Sequence, residues 1–289
     1  MTITGDEETP AKPGRRGFLK GVGIAAGGLA VGAGSGYAAA DAAPEGTPAS
    51  AMSVPVAGPW QPVHGHVDVT WSVDTSQKLV ALTFDDGPMP NWTSMVHDVL
   101  DAEKVKATFF LVGERLVKNA RLVHGRMDRH EAGNHTWQHA DLSRLSHEKA
   151  VEQIHRAHAA IEQITGKEAR RLRPPYGQLG GTTLSAAGSL GYDLTIWSIK
   201  MLEKTYEKNP PKLVDYIVNN TRPGTIVLAH DTGHPDRLVA LKNLVPMIRG
   251  LRAKGYEFVT VSELVEAAGP PAAPTKPTPV EQAAGQPKP

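Results

Sequence analysis

The run Leu79-Val80-Ala81-Leu82-Thr83-Phe84, apolar but for one threonine and stopping at Asp85-Asp86-Gly87-Pro88, constrains the fold most. A strand this apolar must be covered on both faces, as in a parallel sheet or barrel. The pattern recurs from Lys78 onward. Ala107 to Val112 is a second run, ended by Gly113, and a short third strand leads into His135. Arg171 to Pro174, Asp193 to Ile199, Thr225 to His230 and Tyr256 to Val261 are the later strand candidates. Segments of helical spacing lie between them. Trp92, Met95, Val96 and Leu100 share one face of the first, and the longest, which Ser146 can cap, presents Val151, Ile154, His158 and Ile161. Others fall near 182–190, 211–219 and 237–254. About seven β/α units in one sheet predict an α/β fold with a single barrel rather than two domains. Chemistry in such barrels sits at the carboxyl ends of the strands.

The ends of the chain differ in character. Of 29 glycines and 23 prolines, 27 residues fall in 1–60 and 269–289 together. Arg15-Arg16-Gly17-Phe18-Leu19-Lys20 is similar to a twin-arginine export signal. The apolar stretch from Gly21 to Ala33 is too short to span a hydrocarbon core of about 30 Å, and Ala38-Ala39-Ala40 offers a cleavage site. The expected organisation is a signal peptide over 1–40, a linker and N-terminal segment over 41–77, the catalytic body over 78–268 and a Pro-rich disordered tail over 269–289. Such a protein is exported by the twin-arginine machinery, is extracytoplasmic, and keeps no stable membrane span after cleavage. The absence of cysteine excludes a disulfide scaffold, a thiolate metal site and a cysteine nucleophile. A balance of 31 basic against 30 acidic residues, without a basic block, argues against nucleic acid as partner. A monomer is expected.

The chemistry-bearing residues cluster just after the strands. Asp85 and Asp86 are adjacent carboxylates, and holding both ionised in a cleft calls for a compensating charge such as a metal ion. The turn Gly87-Pro88 can bring both to one mouth, although the same four residues are also an ordinary turn signal. His135 and His139 are four apart, which would put both imidazoles on one side of a helical turn, where they can chelate one ion. Histidines so spaced also pack and solvate. With Asp86 as third ligand, two imidazoles and a carboxylate leave positions open for water and substrate. In Arg173-Pro174-Pro175-Tyr176-Gly177 two prolines remove two donors, so the Tyr176 N–H is the first free one, rigid and suited to an oxyanion. His230, in Leu228-Ala229-His230-Asp231, can protonate a leaving group near neutral pH.

Thr83-Phe84-Asp85-Asp86-Gly87-Pro88, the His135/His139 segment, Arg173-Pro174-Pro175-Tyr176-Gly177 and Leu228-Ala229-His230 resemble, in order, four of the five motifs of polysaccharide deacetylases. This is the NodB-homology group, carbohydrate esterase family 4. The resemblance runs from about Lys78 to Val265. It implies a distorted (β/α)7 barrel with a mostly parallel sheet and metal-dependent removal of acetyl groups from N-acetylated sugars. Carried over by position, it makes Asp85 the base that takes a proton from the attacking water. Asp86, His135 and His139 become the metal ligands, and Arg173 orients Asp85. The Tyr176 N–H holds the oxyanion, His230 is the acid, and Pro174, Trp197 and Leu228 line the substrate pocket.

The remaining motif departs from the family pattern of Trp-Ser-x-Asp-x-x-Asp-Trp, because here it reads Trp197-Ser198-Ile199-Lys200-Met201-Leu202-Glu203-Lys204. Glu203 stands where an aspartate supports the acid histidine, and Lys200 and Lys204 replace an aspartate and a groove-walling tryptophan. The expectation is altered substrate preference with activity retained. Carboxylate and imidazole ligands suit zinc first, with cobalt or nickel also fitting. The expected substrate is an N-acetylglucosamine-containing polysaccharide of the peptidoglycan or chitin type. Two alternatives are an O-acetyl xylan esterase using the same site and a glycan-binding protein with an inactive one. His155, His158 and Trp92 read as packing residues, as do Trp60 and Trp71, and His64 with His66 lie before the barrel and read as no metal clip.

Overall fold

The computed structural model describes residues 66–269 except position 234. The described residues form one sheet of nine strands: β1 (Val69–Thr70), β2 (Leu79–Asp85), β3 (Thr108–Leu111), β4 (Glu131–Asn134), β5 (Arg171–Leu172), β6 (Asp193–Thr195), β7 (Ile199–Lys200), β8 (Thr225–His230) and β9 (Glu257–Val259). Every strand pairing is parallel, in the order β1-β6-β5-β4-β3-β2-β8-β7, with β9 also on β2. Beyond β1, Ser72 makes an isolated antiparallel bridge to Thr225 of β8, which brings the two ends of this order together. The architecture is the distorted α/β barrel expected of the sequence.

The distortion centres on β2. All seven of its residues are buried, as the uninterrupted apolar run requires. One edge pairs with β8 from Val80 to Asp85. The other edge is shared: β3 takes Thr83 to Asp85 at the carboxyl end, and β9 takes Leu79 to Ala81 at the amino end. β9 is thus wedged where β2 and β3 part. The wedge is fastened by the helix that follows it, α9 (Val261–Ala267, the last of the nine α-helices among the described residues). Thr260 and Glu263 form a reciprocal capping box at its start. The Val261 N–H donates to Thr108 Oγ1 (2.9 Å) and the Ser262 N–H to Glu131 Oε2 (3.2 Å).

The remaining helices, in chain order, are α1 (Trp92–Ala102), α2 (Gly113–Lys118), α3 (His147–Thr165), α4 (Gly181–Ser189), α5 (Glu203–Tyr206), α6 (Pro210–Asn220), α7 (Leu238–Lys242) and α8 (Leu244–Ala253). α3 starts where expected, with Ser146 Oγ accepting from the Lys149 N–H, and stops at Gly166 in the left-handed conformation. Its core contacts are Ala150, Ile154, Ala157, Ala160 and Ile161, whereas Val151 and His158 are only half-buried. Ala150, Ile154, Ala160 and Ile161 join Phe84, Phe109, Leu82 and Leu172 in the main core. Each fully buried leucine or phenylalanine contributes about 1.5–3 kcal/mol.

Two expected elements are each divided. The strand predicted over Asp193 to Ile199 is β6 and β7, because the chain changes partners between them. The Ile196 N–H donates to Thr70 O beside β1, whereas the Ser198 N–H donates to Ile226 O in β8. The carbonyls of Thr195 and Ile196 at the break are taken by Arg173. The helix predicted over 237–254 breaks at Asn243 into α7 and α8. Pro246 has no N–H and its ring would clash with the carbonyl of Lys242 four residues earlier. The short β1 and the one-turn α5 had no periodicity to reveal them.

Candidate active site

The polar residues that follow the strands meet at the carboxyl-terminal mouth of the barrel. A pocket of about 100 Å³ is lined there by Asp85, Asp86, His135, His139, Pro174, Tyr176, Trp197, Leu228, His230 and Arg237. Asp85 is the last residue of β2 and lies opposite His230 in the register with β8, so the sheet itself sets these two side by side. Asp86 then leaves the strand with φ of 77°, a conformation uncommon for a non-glycine residue. That reversal lets consecutive carboxylates face one mouth instead of opposite faces. Its carbonyl accepts a hydrogen bond from Arg115 Nη1 (2.7 Å). Only glycine fits next, because a Cβ at Gly87 would stand 2.3 Å from Asp231 Oδ2.

Arg173 is fully buried, and each of its three side-chain nitrogens donates. Its Nη1 donates to Asp85 Oδ1 and to Thr83 Oγ1, both at 2.7 Å, its Nε to Thr195 O and its Nη2 to Ile196 O. The guanidinium lies 4.0 Å from the centre of the Phe110 ring. Burial weakens the charged form and lowers its pKa, with the Asp85 carboxylate opposing that fall.

His135 and His139 are brought together, but not on a helix. Thr136 (φ 67°) and His139 (φ 58°) both adopt left-handed backbone, which no helical turn permits. Asn134 holds the loop. Its Oδ1 accepts from the Thr136 N–H (2.8 Å), while its Nδ2 donates to Ile154 O and to Tyr192 Oη. His135 Nδ1 lies 2.6 Å from Arg173 O, and since a carbonyl only accepts, this nitrogen carries the proton. In the neutral imidazole the lone pair is therefore on Nε2, facing the pocket.

Asp86 Oδ1, His135 Nε2 and His139 Nε2 converge. The carboxylate oxygen is 3.5 Å from the first nitrogen and 3.0 Å from the second. One donor atom from each residue falls within 4.8 Å of the others. Yet Asp86 Oδ1 is buried without a partner in hydrogen-bond geometry. Three electron-pair donors converging on one point of the pocket fit a divalent cation. Burial raises the pKa of Asp86, but the two imidazoles outweigh it and hold the carboxyl well below the usual range. For His135 burial opposes the charged form, and the charges of Asp85 and Asp86 raise it overall.

The opposite wall is looser. His230 Nδ1 and Glu203 Oε1 are 3.8 Å apart, and both atoms are buried without a hydrogen-bond partner. Lys200 and Lys204 are exposed and do not line the pocket. Tyr176 has φ of 61° and is 66% exposed, its ring packed edge-on against His139 at 4.8 Å.

Residues 72–195 match the model of the polysaccharide deacetylase family. A peptidoglycan-N-acetylglucosamine deacetylase of Bacillus cereus is 38% identical over 200 residues, covering 68% of this chain and 92% of that one. The chain belongs to the polysaccharide deacetylase family. A peptidoglycan-N-acetylmuramic acid deacetylase of Bacillus subtilis, PdaC, is 35% identical over 68% of this chain and 40% of its own length. Among solved structures, a peptidoglycan N-acetylglucosamine deacetylase superposes with a TM-score of 0.64 at 28% identity, covering 68% of this chain and 92% of that chain. As a polysaccharide deacetylase this protein is an enzyme of a metal-dependent family, and it presents a possible Asp/His/His site.

Four further residues shape the deacetylase site without standing among the expected ones. Asn134 and Asp231 adjoin motif histidines and could have been suspected on that ground. Arg115 and Arg237 gave no such signal, since a lone arginine in a helix or loop reads as solvated charge. Asp231 is buried, accepts from Thr93 Oγ1 (2.6 Å), and is pushed up to about 7, chiefly by burial.

Proposed function

We propose that this enzyme removes N-acetyl groups from an N-acetylglucosamine-containing polysaccharide of the peptidoglycan or chitin type. In this reading Asp86, His135 and His139 hold a divalent cation, zinc first, with cobalt or nickel as fitting alternatives. The observation that carries the reading is the convergence of their three donor atoms beside the buried Asp85–Arg173 pair. The names of the two curated relatives above, both deacetylases of peptidoglycan sugars, support the substrate class.

A bound cation of this kind polarises a carbonyl and lowers the pKa of water. The rest is the work of the chain. Arg173 engages Asp85 Oδ1, which leaves Oδ2 toward the pocket to accept a proton from the attacking water. As water oxygen bonds to the acetamide carbon, the carbonyl oxygen becomes an oxyanion within reach of the Tyr176 N–H. His230 gives a proton to the departing nitrogen as the carbon–nitrogen bond breaks, with the Glu203 carboxylate behind it. Leu228, Trp197 and Pro174 enclose the acetyl methyl. Acetate release from peptidoglycan, chitin oligomers and acetylated xylan tests this. Release from the N-acetylated polymers, abolished by a chelator and by Asp85→Asn, is expected; unchanged release in either case overturns the mechanism.

The loose Glu203–His230 contact favours one second reading, an O-acetyl esterase. An alkoxide leaving group depends less on the acid than an amine does, and release from xylan alone would support it. Glycan binding without any acetate release would instead mark an inactive site. We also propose export through the twin-arginine machinery. Arg15-Arg16, the segment to 65 and the Pro-rich tail lie outside the described residues, and no described helix is long and apolar enough to cross a membrane. Replacing Arg15-Arg16 with Lys-Lys is expected to retain the protein inside the cell, and unchanged secretion would refute it.

A further inference from the structure

Asp86 is held at two points by arginines outside every sequence motif. Arg115 from α2 fixes its backbone carbonyl. Arg237, which ends the single 3₁₀ turn Pro235–Arg237 leading into α7, reaches its carboxylate: Nη1 donates to Asp86 Oδ2 at 2.7 Å and to Thr232 O at 2.8 Å. Room for this guanidinium is built into the loop. Gly233 has φ of 106°, and a Cβ there would come within 2.6 Å of Arg237 Nη1. The two carboxylate oxygens therefore have separate partners. Oδ2 is tied to Arg237, while Oδ1 is left without a hydrogen bond and faces His135 Nε2 and His139 Nε2.

We infer that Arg237 is a positioning residue for the cation site, locking the rotation of the Asp86 carboxylate so that Oδ1 is presented with the two imidazoles. This rests on Asp86, His135 and His139 being the ligand set proposed above. The physical reason is that Asp86 leaves β2 in a left-handed conformation, so neither the strand nor Gly87 restrains its side chain. A carboxylate free to rotate would lose torsional freedom on coordination, and it would divide its time between Arg237-like donors and the pocket. One oxygen anchored by a charge-assisted hydrogen bond removes that freedom beforehand. Arg237 also carries charge of the same sign as the cation, so electrostatics alone would make its removal strengthen binding. Positioning and repulsion hence predict opposite signs.

The test is cation affinity of the full chain, measured by competition of Zn²⁺ against a chromophoric chelator, with the visible spectrum of the Co²⁺-loaded protein as second readout. Arg237→Gln is expected to weaken Zn²⁺ binding by about 10–100-fold, the range for partners that orient metal ligands, and to alter the Co²⁺ bands. Arg237→Lys, which keeps a donor, should recover part of the affinity. Zn²⁺ binding by Arg237→Gln as tight as wild type, or tighter, would overturn the inference. Asp86→Asn separates the two levels. If it too binds Zn²⁺ normally, the ligand set itself is wrong. If only Asp86→Asn loses affinity, the ligand set stands and Arg237 has no positioning role. A far-ultraviolet spectrum and melting curve for each variant exclude misfolding as the cause.

Discussion

On one side of the pocket, an Asp86 carboxylate oxygen lies 3.0–3.5 Å from the Nε2 atoms of His139 and His135, and Arg173 locks Asp85 at 2.7 Å. On the other, Glu203 and His230 stop 3.8 Å apart with both facing atoms unsatisfied. The difference follows from what carries each side. Asp85, Asn134 and Arg173 end or follow strands paired on both edges, and buried arginine and asparagine side chains tie their loops together. Glu203 opens a single helical turn after a two-residue strand. A ligand set needs sub-ångström geometry, so it sits on rigid elements. A group that only supports a proton donor tolerates a softer mount.

The contrast can be broken by experiment, most severely on the rigid side. Asp86→Asn should lower acetate release by about 10³-fold or more, the loss expected when a metal site is dismantled; a residual rate within tenfold of wild type would remove Asp86 from the ligand set. Next, Arg173→Met leaves the Asp85 carboxylate buried and unpaired. Breaking a buried pair in this way is expected to destabilise the fold by about 3–5 kcal/mol, read as a lower denaturation midpoint. A midpoint equal to that of wild type would mean that Arg173 acts on reactivity alone.

The scaffold behind the rigid side has its own pH dependence. His97 of α1 stacks on Phe109 and lies 5.3 Å from His130, all three rings enclosed. Burial depresses both histidines to about 4, with the charge of His130 adding to the fall for His97. Each folded value lies below the ordinary 6.5, so as pH falls the unfolded chain takes up protons first. The stability is complete above about pH 6.5 and drains away between there and pH 4. Each histidine taken alone accounts for roughly 3 kcal/mol. Melting curves from pH 4 to 7.5 should show this slope and a shallower one in His97→Leu; equal slopes would refute it. The smallest effect belongs to the soft side. Glu203→Gln should slow acetate release by roughly tenfold, less than the 10²–10⁴ that general acid–base catalysis supplies. A loss as large as that of Asp86→Asn would show the acid side to be as exacting as the metal side.

This division also governed what could be foreseen. The strands were readable because β2 and β8 each carry a long apolar run, and their ends marked Asp85, Asp86 and His230 as residues of one mouth before any register was known. The spacing of His135 and His139 suggested a helix, and the pair does converge, but through two left-handed residues stabilised by Asn134, a conformation that no periodicity encodes. β6 and β7 ran together in the pattern because their separation is imposed from across the barrel, by Arg173 taking two carbonyls. Arg237 was invisible for the same reason: its partner lies 151 residues away.

The wedge formed by β9 bears on how such a chain is made. β2, which ends at Asp85 and leads directly into Asp86, is made before most of the sheet, and its partners β8 and β9 lie about 145 and 178 residues further on. Pairings that distant close slowly and leave an open strand edge while they wait. Within the sheet, the catalytic strand is therefore made before most of its neighbours and is among the last to be enclosed. A chain cut short before Glu257 would hold every residue of the proposed site on a barrel that lacks the wedge between β2 and β3.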